Sequence, residues 1–291
     1  MPEYIAPTTK QLLQDLRRLL SESAIRLLSS AGINKPPVDV YLLAKHLDEY
    51  IEIEDFIGLS SCGTLSKTKR GFLIQVDCLS PVERQRFIIA HELSHIILQK
   101  ANIGQLQSIY NYGAPVVDDI IIERTCNELA SALLMPKEMV NRQLEMCKSG
   151  FNLDKFFHFA NQFAVSYRNA AIRLTQFGKD YIFICAKLLG NKHHSYKLRV
   201  TWAAFPRQKG LFVPRFQSIP AESVIYKAYT SNLNCTKYGT QLPLPFDNQN
   251  IVNRRVLKKE EVIELGNLKK LGEIEIEAMR TGTGVLAFVH V

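Results

Sequence analysis

The chain has 291 residues, of which 46% are apolar and 22% charged, with a formal net charge of +8. Such a composition gives material for about two domains with a real core and excludes a disordered, highly charged chain. No apolar run approaches the roughly 20 residues of a membrane span. Met1-Pro-Glu-Tyr-Ile-Ala-Pro7 lacks a basic start followed by an apolar stretch, so neither a membrane anchor nor a secretory signal is expected.

Residues 9–30 place Leu12, Leu13, Leu16, Leu19, Leu20, Ile25, Leu27 and Leu28 at helical spacing, ending at Gly32. Pro36-Pro37 restart the chain, and Val38 to Leu47 read as a second short helix. Tyr50 to Phe56 alternates like a strand, and Gly63-Thr-Leu65 and Gly71 to Asp77 continue a small sheet. An open strand edge offers unpaired amides to an extended peptide, a role expected of residues 71–77 or their neighbour.

The next stretch organises the chain: Arg86-Phe-Ile-Ile-Ala-His91-Glu92-Leu-Ser-His95-Ile-Ile-Leu98. Ser80-Pro81-Val82-Glu83 before it reads as an N-cap, a first-turn proline and a capping-box acid. Phe87, Ile88, Ala90, Leu93, Ile96 and Ile97 give the helix a broad apolar surface. His91 and His95, four apart, lie one turn apart on one face and can aim at one cation. Glu92 is placed to act as a general base on a water at that cation.

Three fixed residues recur by chance in roughly one such chain in a hundred, so context decides. A catalytic zinc needs a third ligand. After a loop-like stretch, 99–117, that holds Tyr110 and Tyr112, Asp118 to Leu134 reads as a helix stopped by Pro136. The loop reads as a lid. Each tyrosine has the chemistry of an oxyanion donor, with packing ranked first. The helix offers Glu123 or Glu128 as ligand, with Asn127 as a partner for the far nitrogen of a histidine. Spacing alone leaves the choice of acid open.

Arg84-Gln-Arg-Phe-Ile-Ile-Ala-His-Glu-Leu-Ser-His-Ile-Ile-Leu98, then Glu123-x-x-x-Asn127 and Ala132-Leu-Leu-Met-Pro136, resembles the ImmA/IrrE metallopeptidases. Pro37 to Ala44 and Gly63-Thr-Leu65 match that family's entry segment. The resemblance is nearest to its IrrE type, the radiation-response regulators of deinococci, and Cys126 before Asn127 adds to it. It implies a zincin-like domain with His91, His95 and Glu123 as metal ligands and Glu92 as the catalytic base. It also implies a substrate, a helix-turn-helix transcriptional repressor whose cleavage induces a DNA-damage or stress response. Zinc suits the donor set, while manganese or iron also fits it.

Six cysteines, Cys62, Cys78, Cys126, Cys147, Cys185 and Cys235, lack paired spacing, which suits reduced thiols and a cytoplasmic location. Cys126 reads first as a small buried apolar residue. The positive charge is spread in short clusters, such as Lys67-Thr-Lys-Arg70 and Arg254-Arg-Val-Leu-Lys-Lys259, read first as solvated faces.

Residues 137–178 read as helices. Leu153 to Leu174 suggests a helix, a tight turn and a second helix capped by Ser166, a helix-turn-helix-like pair. Tyr167, Arg168, Asn169 and Arg173 are sparse for base and phosphate contacts, so direct DNA contact ranks behind packing or docking. From Asp180 the pattern turns to strands: 180–189, a Gly190-Asn191 turn, 196–205, then 272–279, a turn at Gly282-Thr-Gly284, and 285–291. Ser223 to Thr230 is a short helix. The IrrE resemblance implies a GAF-like sensor here, with Trp202, Phe205, Phe212 and Tyr226 as candidate pocket residues, though aromatics at such spacing more often form core.

The expected layout is α+β: a zincin-like domain over 1–136, a helix-turn-helix-like segment over 137–178 and a mixed α/β GAF-like domain over 179–291. The competing function is a DNA-binding or ligand-sensing regulator with a structural metal site. The sequence is silent on oligomeric state.

Overall fold

A computed structural model describes residues 9–290, apart from 48, 59–62, 101–118, 148–149, 178–180, 192–193, 207–209, 231–255, 263 and 283. The chain divides into two compact units. The first holds residues 1–146 with 161–166, and the second holds 147–160 with 167–291. Residues 137–178 are therefore shared between the two.

The first unit opens with α1 (Thr9–Ser30), as the leucine spacing predicts, and α2 (Val40–Lys45). The Asp39 carboxylate accepts the backbone N–H groups of Tyr41 and Leu42, satisfying two donors that a helix start leaves open. A three-stranded sheet follows in the order β1 (Tyr50–Phe56), β3 (Gly71–Asp77), β2 (Gly63–Lys67). β1 runs parallel to β3, and β2 antiparallel. Of the two expectations for the open edge, residues 71–77 or their neighbour, the first is corrected: β3 is central, its Ile74 and Val76 fully buried, and among the described residues the edges belong to β1 and β2. The alternation in 71–77 marks burial, and burial does not reveal which strand is flanked on both sides.

β3 leads through Cys78-Leu-Ser80 into α3 (Val82–Lys100). The Ser80 hydroxyl donates to Asp77, and the Gln85 side chain donates back to the Ser80 and Cys78 carbonyls, fixing the entry angle. Ile89, Ala90, Leu93 and Ile96 are almost wholly buried, so α3 is the spine of this unit. Alongside it packs α4 (Asp119–Leu134), whose Leu129, Ala130, Leu133 and Leu134 are equally buried. Pro136 stops α4 and α5 (Lys137–Met146) follows. No described helix is long and apolar enough to cross a membrane.

Two helices occupy the stretch from 153 to 176: α6 (Leu153–Phe163) and α7 (Tyr167–Gln176), joined by a turn with Ala164 at φ +50. The second unit is built on a five-stranded antiparallel sheet in the order β5 (His194–Ala204), β4 (Tyr181–Asn191), β8 (Gly284–His290), β7 (Glu273–Thr281), β6 (Leu257–Val262). The hairpin at 282–284 stands where the sequence places it, whereas the expected Gly190-Asn191 turn is corrected: β4 continues through both residues and pairs Asn191 with His194, so strand pairing runs on past the glycine. β6 begins within Arg254 to Lys259, which the sequence marks as a solvated charge cluster, and runs on to Val262. Its Lys258 and Lys259 are exposed, and its pairing to β7 is set by backbone rather than by apolar alternation. One sheet face, with Ile184, Val200, Ile276, Ala278 and Ala287, is covered by α8 (Val224–Thr230), which Ser223 caps through the Tyr226 N–H.

Candidate metal centre

α3 carries His91 and His95, and α4 carries Glu123. The two Nε2 atoms lie 3.1 Å apart, and the Glu123 carboxylate reaches both, 3.2 Å to His91 and 3.3 Å to His95. A tetrahedral ion with bonds of about 2.0–2.1 Å sets its ligand atoms roughly 3.3 Å apart. The three donors already hold that spacing. Among the described residues, these three form one of two groups able to hold a metal ion, and Glu128 is not in it.

Two apolar helices side by side produce this arrangement. His91 and His95 are 15% and 19% exposed, held by the buried face of α3, while Glu123 is 54% exposed. The cluster is walled on the α3 side and open on the Glu123 side, as a centre that admits substrate requires. Burial, then the neighbouring His95, lower the His91 pKa, against the opposing pull of Glu123 and Asn127. A neutral imidazole keeps the lone pair that a metal needs. The His91 Nδ1 is buried with no hydrogen-bond partner, so this ring is oriented by packing and by the cluster itself. Asn127 donates its amide N–H to the Glu123 carbonyl at 2.8 Å, one turn back on its own helix, and its side chain is also a hydrogen-bonding neighbour of His91.

Glu92 stands beside this group. Burial first, and the Glu123 charge second, push its carboxyl up to about 7. A carboxyl poised there can take a proton and return it near neutral pH. Cys126 is buried, and burial together with Glu123 and Glu92 pushes its thiol up to about 12. It is a packed thiol outside the His91, His95 and Glu123 group, as its apolar neighbours predict. Cys78, Cys147 and Cys185 are likewise free thiols. Tyr110, Tyr112 and the lid-like loop lie outside the described residues.

Arg86 was quoted in the motif but given no role by sequence. One helical turn and a half before His91, its guanidinium donates to the Val38 carbonyl at 2.7 Å and the Ala164 carbonyl at 3.1 Å. Burial lowers its pKa, while Asp39 and Glu83 act to hold it up. It ties α3 to two irregular segments whose carbonyls have no strand or helix to bond them. The only signal in the sequence is a charge on an otherwise apolar helical run. Of the candidate pocket aromatics, Phe212 is exposed, whereas Phe205 and Tyr226 pack on the core of the second unit.

Comparison with known proteins bears on this geometry. No curated protein matches the chain. Among solved structures, a Mycobacterium tuberculosis transcriptional regulator is similar, with a TM-score of 0.52 and 13% identity over 95% of this chain and 79% of that one, a likeness of fold alone. Residues 64–175 match the family model described as Peptidase_M78, IrrE N-terminal-like domain, and so support placing the stretch that carries His91, Glu92, His95 and Glu123 with the ImmA/IrrE metallopeptidases.

Proposed function

We propose that this chain is a metal-dependent endopeptidase, with His91, His95 and Glu123 as ligands, Glu92 as general base and Asn127 steadying the ligand helix. The observation that carries the reading is the convergence of two imidazoles from α3 and one carboxylate from α4 at metal-ligand spacing. Zinc suits two nitrogens and one oxygen best, and manganese or iron fits the same set. Bound there, such an ion would polarise a scissile carbonyl and ease deprotonation of water. Glu92 takes the proton as the water oxygen attacks the carbonyl carbon. It then passes that proton to the amine nitrogen as the C–N bond breaks. The edge-strand role falls to β2, the neighbour of 71–77. Gly63 lets it lie close on α3, since a Cβ there would meet the Ile88 side chain at 2.2 Å. Its place at the end of the described sheet order suits pairing with an extended peptide.

The substrate proposed is a helix-turn-helix transcriptional repressor, and the outcome is induction of DNA-damage or stress genes in the cytoplasm, as in the deinococcal IrrE type. A five-stranded antiparallel sheet backed by α8 supports a GAF-like sensor in the second unit. Direct DNA reading by α7 is the lesser alternative, because Arg173 is engaged with Gln176 and lies over the Phe177 ring. The test is Glu92→Gln co-expressed with a repressor encoded beside this chain. Metal content should stay at the wild-type level and cleavage should fall at least about a hundredfold, the usual minimum for a lost general base. Undiminished cleavage removes Glu92 from the reaction. Salt-dependent promoter binding by a wild type that never cleaves would favour the DNA-binding regulator.

A further inference from the structure

The second unit contains another group of side chains able to hold a metal ion, made of residues other than those proposed for peptidase chemistry. Glu275 and Glu277 alternate onto one face of β7, and His290 lies on β8 one step past the Ile276–Val289 pair. The His290 Nε2 is 3.5 Å from the Glu275 Oε1 and 3.6 Å from the Glu277 Oε1. These separations approach the roughly 3.3 Å expected between ligands of a tetrahedral ion. All three donor atoms lie within 4.8 Å of one another.

Glu277 makes this more than a surface cluster. Its side chain is 2% exposed. The Oε2 accepts the Leu153 N–H at 2.7 Å at the start of α6. The buried Oε1 faces the His290 Nε2. A buried carboxylate oxygen is costly unless a cation serves it. One cation is already there: the Lys258 ammonium, 2.5 Å from the Glu277 Oε1 and 3.8 Å from the Glu275 Oε1. Its side chain is 55% exposed, and Asp154 also attracts it, so it has somewhere to go.

We propose that Glu275, Glu277 and His290 form a second divalent-cation site, with Lys258 as a built-in competitor that must swing out for the ion to enter. Two carboxylates and one imidazole select a transition ion such as zinc, manganese or iron(II) rather than calcium, which prefers an all-oxygen shell. Glu275 is 45% and His290 34% exposed, so the site opens to solvent on one side and keeps room for water. Glu277 also caps α6, so filling the site bears on the start of that helix. Binding to the folded state alone stabilises the second unit by mass action.

The test uses full-length protein with the first centre disabled as His91→Ala/His95→Ala, dialysed against Co²⁺ and read by bound metal and visible absorption. One equivalent should remain. His290→Ala in that background should remove it, and Lys258→Met should tighten it by about tenfold, the factor expected if the lysine leaves the site free about a tenth of the time. A gain of affinity cannot come from misfolding. In the wild-type background His290→Ala should reduce two equivalents to one. Absence of bound Co²⁺ in the doubly substituted protein, or binding that neither His290→Ala nor Lys258→Met alters, overturns the proposal.

Discussion

Glu277 is a buried carboxylate whose surroundings settle its charge, and Glu277→Gln tests that account. Burial alone would push its pKa up. His290, Lys258 and the Leu153 N–H together outweigh burial and bring it down from an ordinary 4.5 to about 2. A group whose pKa falls on folding stabilises the fold when ionised. That contribution is complete above the unfolded value and is lost as pH drops through the folded one. The difference between 4.5 and about 2 amounts to at most about 3.5 kcal/mol, taking about 1.4 kcal/mol per tenfold. The chain has a single tryptophan, Trp202, on β5 of the second unit, so its fluorescence reports that unit. In urea titrations with a chelator present, Glu277→Gln should cost about 2–3 kcal/mol at pH 7. The gap from wild type should close between pH 4.5 and pH 2. A gap that stays constant over that range would show that the carboxylate charge contributes nothing, and the reasoning would fail.

Three further outcomes follow from the first unit. Glu123→Ala should lower bound metal by one equivalent without unfolding α4, because Glu123 is largely exposed; metal analysis and circular dichroism check both halves. Cys126, its thiol pushed up to about 12 and buried, should resist alkylation by iodoacetamide at pH 8 until urea unfolds the unit, as mass spectrometry would show. Gly71→Ala should destabilise the unit by about 1–3 kcal/mol, because a Cβ there would stand 2.1 Å from the Tyr50 carbonyl oxygen where β1 and β3 begin to pair. A lowered thermal midpoint is the expected reading.

The sequence by itself determined most of the local elements and the pair of histidines on one helix face. His91 and His95 share a face because the helix repeat demands it, and Leu93 and Ile96 identify that helix as buried. Four of the five strands of the second unit, the hairpin at 282–284 and the short helix at 224–230 were legible from alternation and turn residues, because those patterns are set within a few residues, whereas β6 was not. Tertiary structure decided whatever depends on distant segments meeting. Only the packing of α4 on α3 brings Glu123 rather than Glu128 to the histidines. Only sheet order makes β3 central and leaves β2 an edge. Glu-Ile-Glu-Ile-Glu in β7 reads as a solvated face. Yet Glu277 is buried, because β8 brings His290 to that face, β6 brings Lys258, and α6 presents its first amide from 124 residues away. Hydrogen bonds and ion pairs act over a few ångströms in space, whereas sequence patterns record only neighbours along the chain. The partners of a buried charge therefore stay hidden until the chain has folded.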